Sequence, residues 1–176
     1  MKFICAVLII SLSAVNCQLT QSINEDSITF RVFPRNEVSF NFTSNVSLAE
    51  KGCNSNEKFA IIVHGWLESY AKTEWVTDLI GNLSLQRGGC IIFMDYSNFS
   101  INPNYFELVT QFKNISNVLL IKLNQLKEQG FDPENGYMFG FSFGSHLVID
   151  AATRFGEKLF KDIDCKNTSI FYKFIH

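Results

Sequence analysis

A serine with glycine two residues away on each side, Gly140-Phe141-Ser142-Phe143-Gly144, is the feature of this chain best suited to covalent chemistry. Small neighbours let the backbone turn sharply and lift the hydroxyl clear, where it can attack a carbonyl carbon. The motif gains meaning from its setting. Tyr137 to Phe141 before it is a short apolar run, and a helical pattern follows as far as Arg154, with Gly156 to end it. A helix beginning at Phe143 would aim its N-terminus at negative charge developing on the attacked oxygen. A second piece of such a site lies earlier, where His64-Gly65-Trp66 closes another apolar run. Backbone N–H groups of Trp66 and Phe143 are therefore expected to form an oxyanion hole, each donor contributing about 3 kcal/mol. A loop merely shaped by His64 and Gly65, with Trp66 packed as core, is compatible with this, because the hole uses backbone.

The elements that must hold these pieces can be read from periodicity. Ser27 to Phe42 alternates, with Ile28, Phe30 and Val32 on one side and Val38, Phe40 and Phe42 continuing after Pro34-Arg35-Asn36. Period-two patterning around a turn predicts an antiparallel hairpin. Phe59 to Val63, Cys90 to Met94 and Tyr137 to Phe141 are continuously apolar, as parallel strands covered on both faces require. Between them, Trp75, Leu79 and Leu83 recur every four residues, and one longer helix is predicted to carry Tyr105, Leu108, Val109, Phe112, Ile115, Leu119, Leu123 and Leu126 on a single face. Gly130 is its expected C-cap, followed by Pro133. The expected fold class is α/β: an antiparallel N-terminal hairpin, then a mostly parallel sheet with flanking helices and right-handed crossovers.

With these elements in place, Ile61-Ile62-Val63-His64-Gly65-Trp66, Ile92-Phe93-Met94-Asp95-Tyr96 and Gly140-Phe141-Ser142-Phe143-Gly144-Ser145-His146 resemble the secreted pancreatic-lipase-like family of α/β-hydrolases. The insect-type members without a C-terminal lipid-binding domain are the most similar. The resemblance covers roughly Ser27 to Asp164. That family usually carries Gly-His-Ser-Leu-Gly-Ala-His at the elbow; this chain departs at Phe141, Phe143 and Ser145 and matches at His146. The resemblance implies hydrolysis of carboxylic esters in lipids through a serine triad, with no cofactor and no metal ion.

Serine catalysis needs an imidazole to take the hydroxyl proton and an acid to orient it. The family's acid sits in a strand followed by Asp-Pro-Ala. Here the corresponding stretch reads Asp162-Ile163-Asp164-Cys165-Lys166-Asn167-Thr168, with Lys166 or Asn167 nearest the expected position and Asp164 the candidate substitute. None of the three histidines is expected to act as base. His64 comes too early in the chain order, His146 lies one helical turn past Ser142 and should pack behind the elbow, and His176 is the last residue. The family's histidine falls beyond residue 176. Ser169 to Ile175 is an apolar-aromatic tail that matches nothing in the family. The expectation is a C-terminally truncated lipase-like domain over 18–176, ending at an alternative transcript or gene-model boundary.

The N-terminus explains where such a protein would work. Lys2, the apolar run Phe3 to Val15 and the small residues of Val15-Asn16-Cys17 form a signal peptide over residues 1–17, leaving Gln18 first. The run is shorter than the about 20 residues a membrane span needs, so the mature protein is expected to be extracellular without a membrane span. Asn41, Asn45, Asn82, Asn98, Asn114 and Asn167 each head an Asn-x-Ser/Thr sequon and are candidate glycan acceptors. Cys53, Cys90 and Cys165 remain after cleavage. Cys53 and Cys90 flank the first two parallel strands and are expected to pair; Cys165 is then either a buried free thiol or the partner of a cysteine further along a longer chain. The net charge of −2 and pI near 5.9 give no basic footprint for nucleic acid. Many of the 18 Phe should be core, with transient contact to a lipid surface left to some of them.

Two functions compete. One is a secreted lipase or phospholipase-type hydrolase using Ser142. The other is a non-catalytic secreted lipid-binding or yolk-type protein on the same scaffold. The glycine-flanked serine favours the first, the incomplete triad the second.

Overall fold

The computed structural model of the chain describes residues 27–35, 38–156 and 162–166. Strand β1 (Thr29–Phe33) turns back on the two-residue β2 (Phe40–Asn41), and β3 (Phe59–Val63), β4 (Cys90–Asp95), β5 (Gly136–Phe141) and β6 (Asp162–Lys166) follow. They form one sheet in the order β2-β1-β4-β3-β5-β6. The pairs β4–β3, β3–β5 and β5–β6 are parallel, whereas β1 is antiparallel to both β2 and β4. This is the mixed, mostly parallel arrangement of an α/β-hydrolase, and the apolar runs supply its centre as expected.

Both faces of the central strands are dry, which is why their sequences do not alternate. Phe59, Ile61, Val63, Ile92, Met94 and Met138 face α4 (Phe112–Glu128) and α5 (Phe143–Phe155). Ala60, Ile62, Ile91, Phe93 and Tyr137 face α1 (Glu74–Arg87). Each such fully buried aliphatic side chain contributes about 1.5–3 kcal/mol relative to exposure. In α1 the innermost residues are Val76, Ile80 and Leu83, with Trp75 and Leu79 packed half-buried beside them. The inward stripe is therefore rotated one residue from the one the spacing of Trp75 and Leu79 suggests.

The long helix is two helices. Helix α3 (Tyr105–Thr110) stops at Gln111 before α4 resumes at Phe112. Gln111 holds φ −88° and ψ −3°, and its N–H is shared between the carbonyls of Glu107 and Leu108, a local tightening. The offset presents both Tyr105 and Phe112 edge-on to the Phe143 ring. At the other end of α4, Gly130 takes φ 85°, its N–H bonds the Lys127 carbonyl, and Phe131 N–H reaches Leu126. That is a Schellman cap on the expected glycine.

The hairpin is shorter than its alternation implies. Pairing spans only Arg31–Asn41 and Val32–Phe40, so Val38, ahead of the paired segment, is 87% exposed rather than inward. The leader over residues 1–17, Asn167, His176 and the tail Ser169 to Ile175 lie outside the described residues. Among the described residues no helix is long and apolar enough to cross a membrane.

Candidate active site

Ser142 stands between β5 and α5 with φ 52° and ψ −118°. L-residues avoid this region because Cβ crowds the backbone, and holding one there costs about 1–3 kcal/mol. The surroundings enforce it. A Cβ on Gly140 would lie 2.5 Å from Cα of Ser145, and one on Gly144 would lie 2.3 Å from the His64 carbonyl oxygen. Both glycines are thus required by backbone approach, the first where the turn closes on itself and the second where α5 crosses the end of β3. The Ser142 N–H donates to the Lys166 carbonyl at 2.8 Å, tying the turn to β6. The Ser145 hydroxyl, fully buried, donates to the Gly140 carbonyl at 2.6 Å, which gives a structural role to one of the departures from the family pattern.

Facing the elbow is the loop after β3. Its amides can be accounted for one by one. Gly65 N–H donates to Glu68 Oε2 at 2.6 Å, and Leu67 N–H donates to the Ser100 carbonyl at 2.8 Å. Leu67 holds φ 62°, a second non-glycine residue at positive φ. Trp66 N–H, between them, has no acceptor among the described residues. Its indole is anchored separately, donating to the Asn102 carbonyl at 2.8 Å and packing against Tyr105. Phe143 is the first residue of α5. Its ring is buried against Tyr96, Tyr105 and Phe112.

His64 is fully buried and engaged at both nitrogens. Nδ1 lies 2.9 Å from the Gly65 carbonyl, while the Tyr96 N–H and Asp95 Oδ1 converge on Nε2 at 3.2 and 3.4 Å. Its ring stacks on Tyr96, whose hydroxyl donates to the His64 carbonyl at 2.6 Å. Burial alone would raise the Asp95 carboxyl; hydrogen bonding with His64 and Ser97 outweighs it and holds the group at about 2. This buried cluster fixes the end of β3. His146 is 9% exposed on the inner side of α5.

Asp164 does not meet Ser142. It pairs in register with Phe139, three residues before the serine, which at about 3.3 Å per residue leaves it roughly 10 Å down the strand. Its Oδ2 accepts the Tyr137 hydroxyl at 3.0 Å on the α1 side of the sheet. Lys166 is the β6 residue beside the elbow, and it contributes its carbonyl. Among the described residues no three His, Cys, Asp or Glu side chains gather as metal ligands. Cys53 and Cys90 are joined by a disulfide, and Cys165 is a half-buried free thiol whose pKa burial pushes up. Asn41, Asn45, Asn82 and Asn98 are exposed and Asn114 is half-buried. Sequence reasoning missed Glu68; a carboxylate three residues after a glycine carries no signal until the loop is seen to fold back.

A glycine-flanked serine at positive φ thus stands between strand and helix, with the loop at Gly65 packed against it. A family model described as Lipase matches residues 13–164, and the chain belongs to that family. It is similar to Lipase member H of Danio rerio, 23% identical over 99 residues that make up 53% of this chain and 22% of that protein. It is also similar to Lipase member H of Mus musculus, 22% identical over 102 residues, 58% of this chain and 23% of that protein. The match thus spans less than a quarter of either relative's length.

Proposed function

We propose that this chain supplies the serine nucleophile of a secreted lipid-ester hydrolase. Ser142 attacks the ester carbonyl, and the N–H groups of Trp66 and Phe143 stabilise the oxyanion that forms. The observation that carries this reading is the φ 52° of Ser142, a strained geometry that serves a nucleophile and has no use in a packing residue. Lipid esters fit the surface near the site: Leu67, Ile101 and Phe106, all at the carboxyl edge of the sheet, are each about half exposed or more, at 51%, 49% and 64%. They suit transient contact with a lipid interface. Secretion draws support from the Cys53–Cys90 disulfide and from the sequons at exposed Asn41, Asn45, Asn82 and Asn98. The triad acid and base are not assigned to any described residue, and serine hydrolases deprived of those partners keep weak activity through the oxyanion hole.

A second reading, a secreted lipid-binding protein without turnover, draws on the burial of His64 and His146. Reaction with a fluorophosphonate separates the two. Mass increase localised to the peptide containing Ser142, and lost in Ser142→Ala, supports the hydrolase. A chain that binds lipid vesicles but leaves Ser142 unmodified sinks that reading in favour of the carrier.

A further inference from the structure

Gly65 carries no side chain, and the space a Cβ would take is contested from two sides. Glu68 Oε2 lies 3.0 Å from that point, and so does Cβ of Ser142. The Glu68 carboxylate and the serine thus flank the same point beside Gly65, and the carboxylate is turned to hold N–H groups. One oxygen accepts Gly65 N–H at 2.6 Å and the other accepts the Trp75 indole N–H at 2.9 Å. The Glu68 carbonyl in turn accepts the Ser100 hydroxyl at 2.8 Å, and the Ser100 carbonyl accepts Leu67 N–H. The loop from His64 to Thr73 is thus fastened at its inner end to itself, at its outer end to α1, and along its flank to α2 (Ser97–Ser100).

We infer that Glu68 is the positioning residue of the oxyanion hole: by accepting Gly65 N–H and the Trp75 indole together, it fixes the peptide that carries Trp66 N–H toward Ser142. The inference rests on the serine-nucleophile reading given above. Only a carboxylate meets both donors, because it offers an acceptor at each oxygen and no hydrogen to either. Glutamine keeps one acceptor and turns an NH2 group toward the other donor. Alanine leaves both donors without a partner and frees Gly65 to rotate. Misalignment of a hole donor affects the step in which charge appears on oxygen and leaves ground-state binding unchanged. A donor placed by one residue and presented by another is weakened when the placement is lost, so the effect should fall short of deleting the donor.

The test is phosphonylation of the full chain by a fluorophosphonate, followed by intact mass over a range of reagent concentrations. The limiting rate and the half-saturation constant are then separate. Glu68→Ala should lower the limiting rate on the order of 10- to 100-fold with half-saturation near its original value, and Glu68→Gln should fall between it and the unaltered protein. Trp75→Phe keeps a ring but loses the indole N–H, and should lower the limiting rate severalfold. It decides the matter if Glu68→Ala does not fold. Unchanged limiting rates in both Glu68→Ala and Trp75→Phe, or in Trp75→Phe alone when only it folds, would overturn the role of Glu68 and leave the serine reading standing. A rise confined to half-saturation would overturn it equally. Absence of labelling in the unaltered protein would overturn the serine reading, and the role of Glu68 with it.

Discussion

Gly144 approaches the end of β3 so closely that a Cβ there would stand 2.3 Å from the His64 carbonyl oxygen and 2.5 Å from that of Val63. This contact sets the start of α5 against the end of β3 and the loop that follows it. The neighbours are backbone atoms of a fully buried strand and cannot yield. Gly144→Ala should therefore destabilise the protein by about 3 kcal/mol or more, at the upper end of overpacking costs. Gly81, on the exposed side of α1 with nothing within 4 Å of its Cβ position, is the control. Gly81→Ala should stabilise by about 0.5–1 kcal/mol. Denaturant midpoints of the two variants should move in opposite directions; movement of both the same way would contradict the crowding argument.

The positive φ of Ser142 makes a separate prediction about stability. Alanine in its place removes the hydroxyl and keeps the strain, while glycine removes both. Allowing for the greater freedom glycine has in the unfolded chain, Ser142→Gly should be more stable than Ser142→Ala by about 1 kcal/mol. Both should lose fluorophosphonate labelling. Thermal melts that rank alanine above glycine would mean that the turn is relaxed.

The motif and its setting were legible because both rest on short-range rules. Gly140 and Gly144 mark a turn that excludes side chains, and the unbroken runs around Ile61, Ile92 and Met138 mark strands covered on both faces. Gly130 and Gly156 mark helix ends for the same local reason. What periodicity could not reveal is set by tertiary contact. The break at Gln111 follows from fitting two aromatic rings to Phe143, and the exposure of Val38 from where pairing with β1 begins. Likewise, the family resemblance puts the acid nearest Lys166 or Asn167 and leaves Asp164 as the candidate substitute. Strand register, which counts residues from the paired end rather than along the chain, puts that carboxylate down the sheet against Tyr137.

Two carboxylates predict how stability depends on pH. Asp95 is held at about 2 as described, and Asp150 also lies below its usual value. For Asp150, burial acts to raise the group, but hydrogen bonds from Lys113 and Ser116 and the charge of Arg154 prevail, linking α4 to α5. Both folded pKa values lie under the unfolded value of about 3.9. The stability they supply is therefore present above about pH 4 and is lost as pH falls below it, for Asp95 toward about 2. Asp95→Asn should cost on the order of 2 kcal/mol near neutral pH and flatten the acid limb of the stability curve. Asp150→Asn should flatten it further. An acid limb of unchanged slope in the double variant would show that other groups drive acid unfolding.

The Cys53–Cys90 disulfide spans 37 residues and ties the turn before β3 to the first residue of β4. Closing a loop of that length restricts the unfolded chain, and its removal should cost about 3–4 kcal/mol. Both sulfurs are in the core, with Cys53 at 1% and Cys90 at 2% exposure, so the pair should resist reductant until the protein unfolds. Cys53→Ser with Cys90→Ser should accordingly lower the melting temperature by about 10 °C. The same bond gives a count that tests the N-terminus. Denatured without reductant, a secreted chain cleaved after Cys17 should expose one thiol, that of Cys165. Retention of Cys5 and Cys17 would add two more, and a count of three would mean that the leader had not been removed.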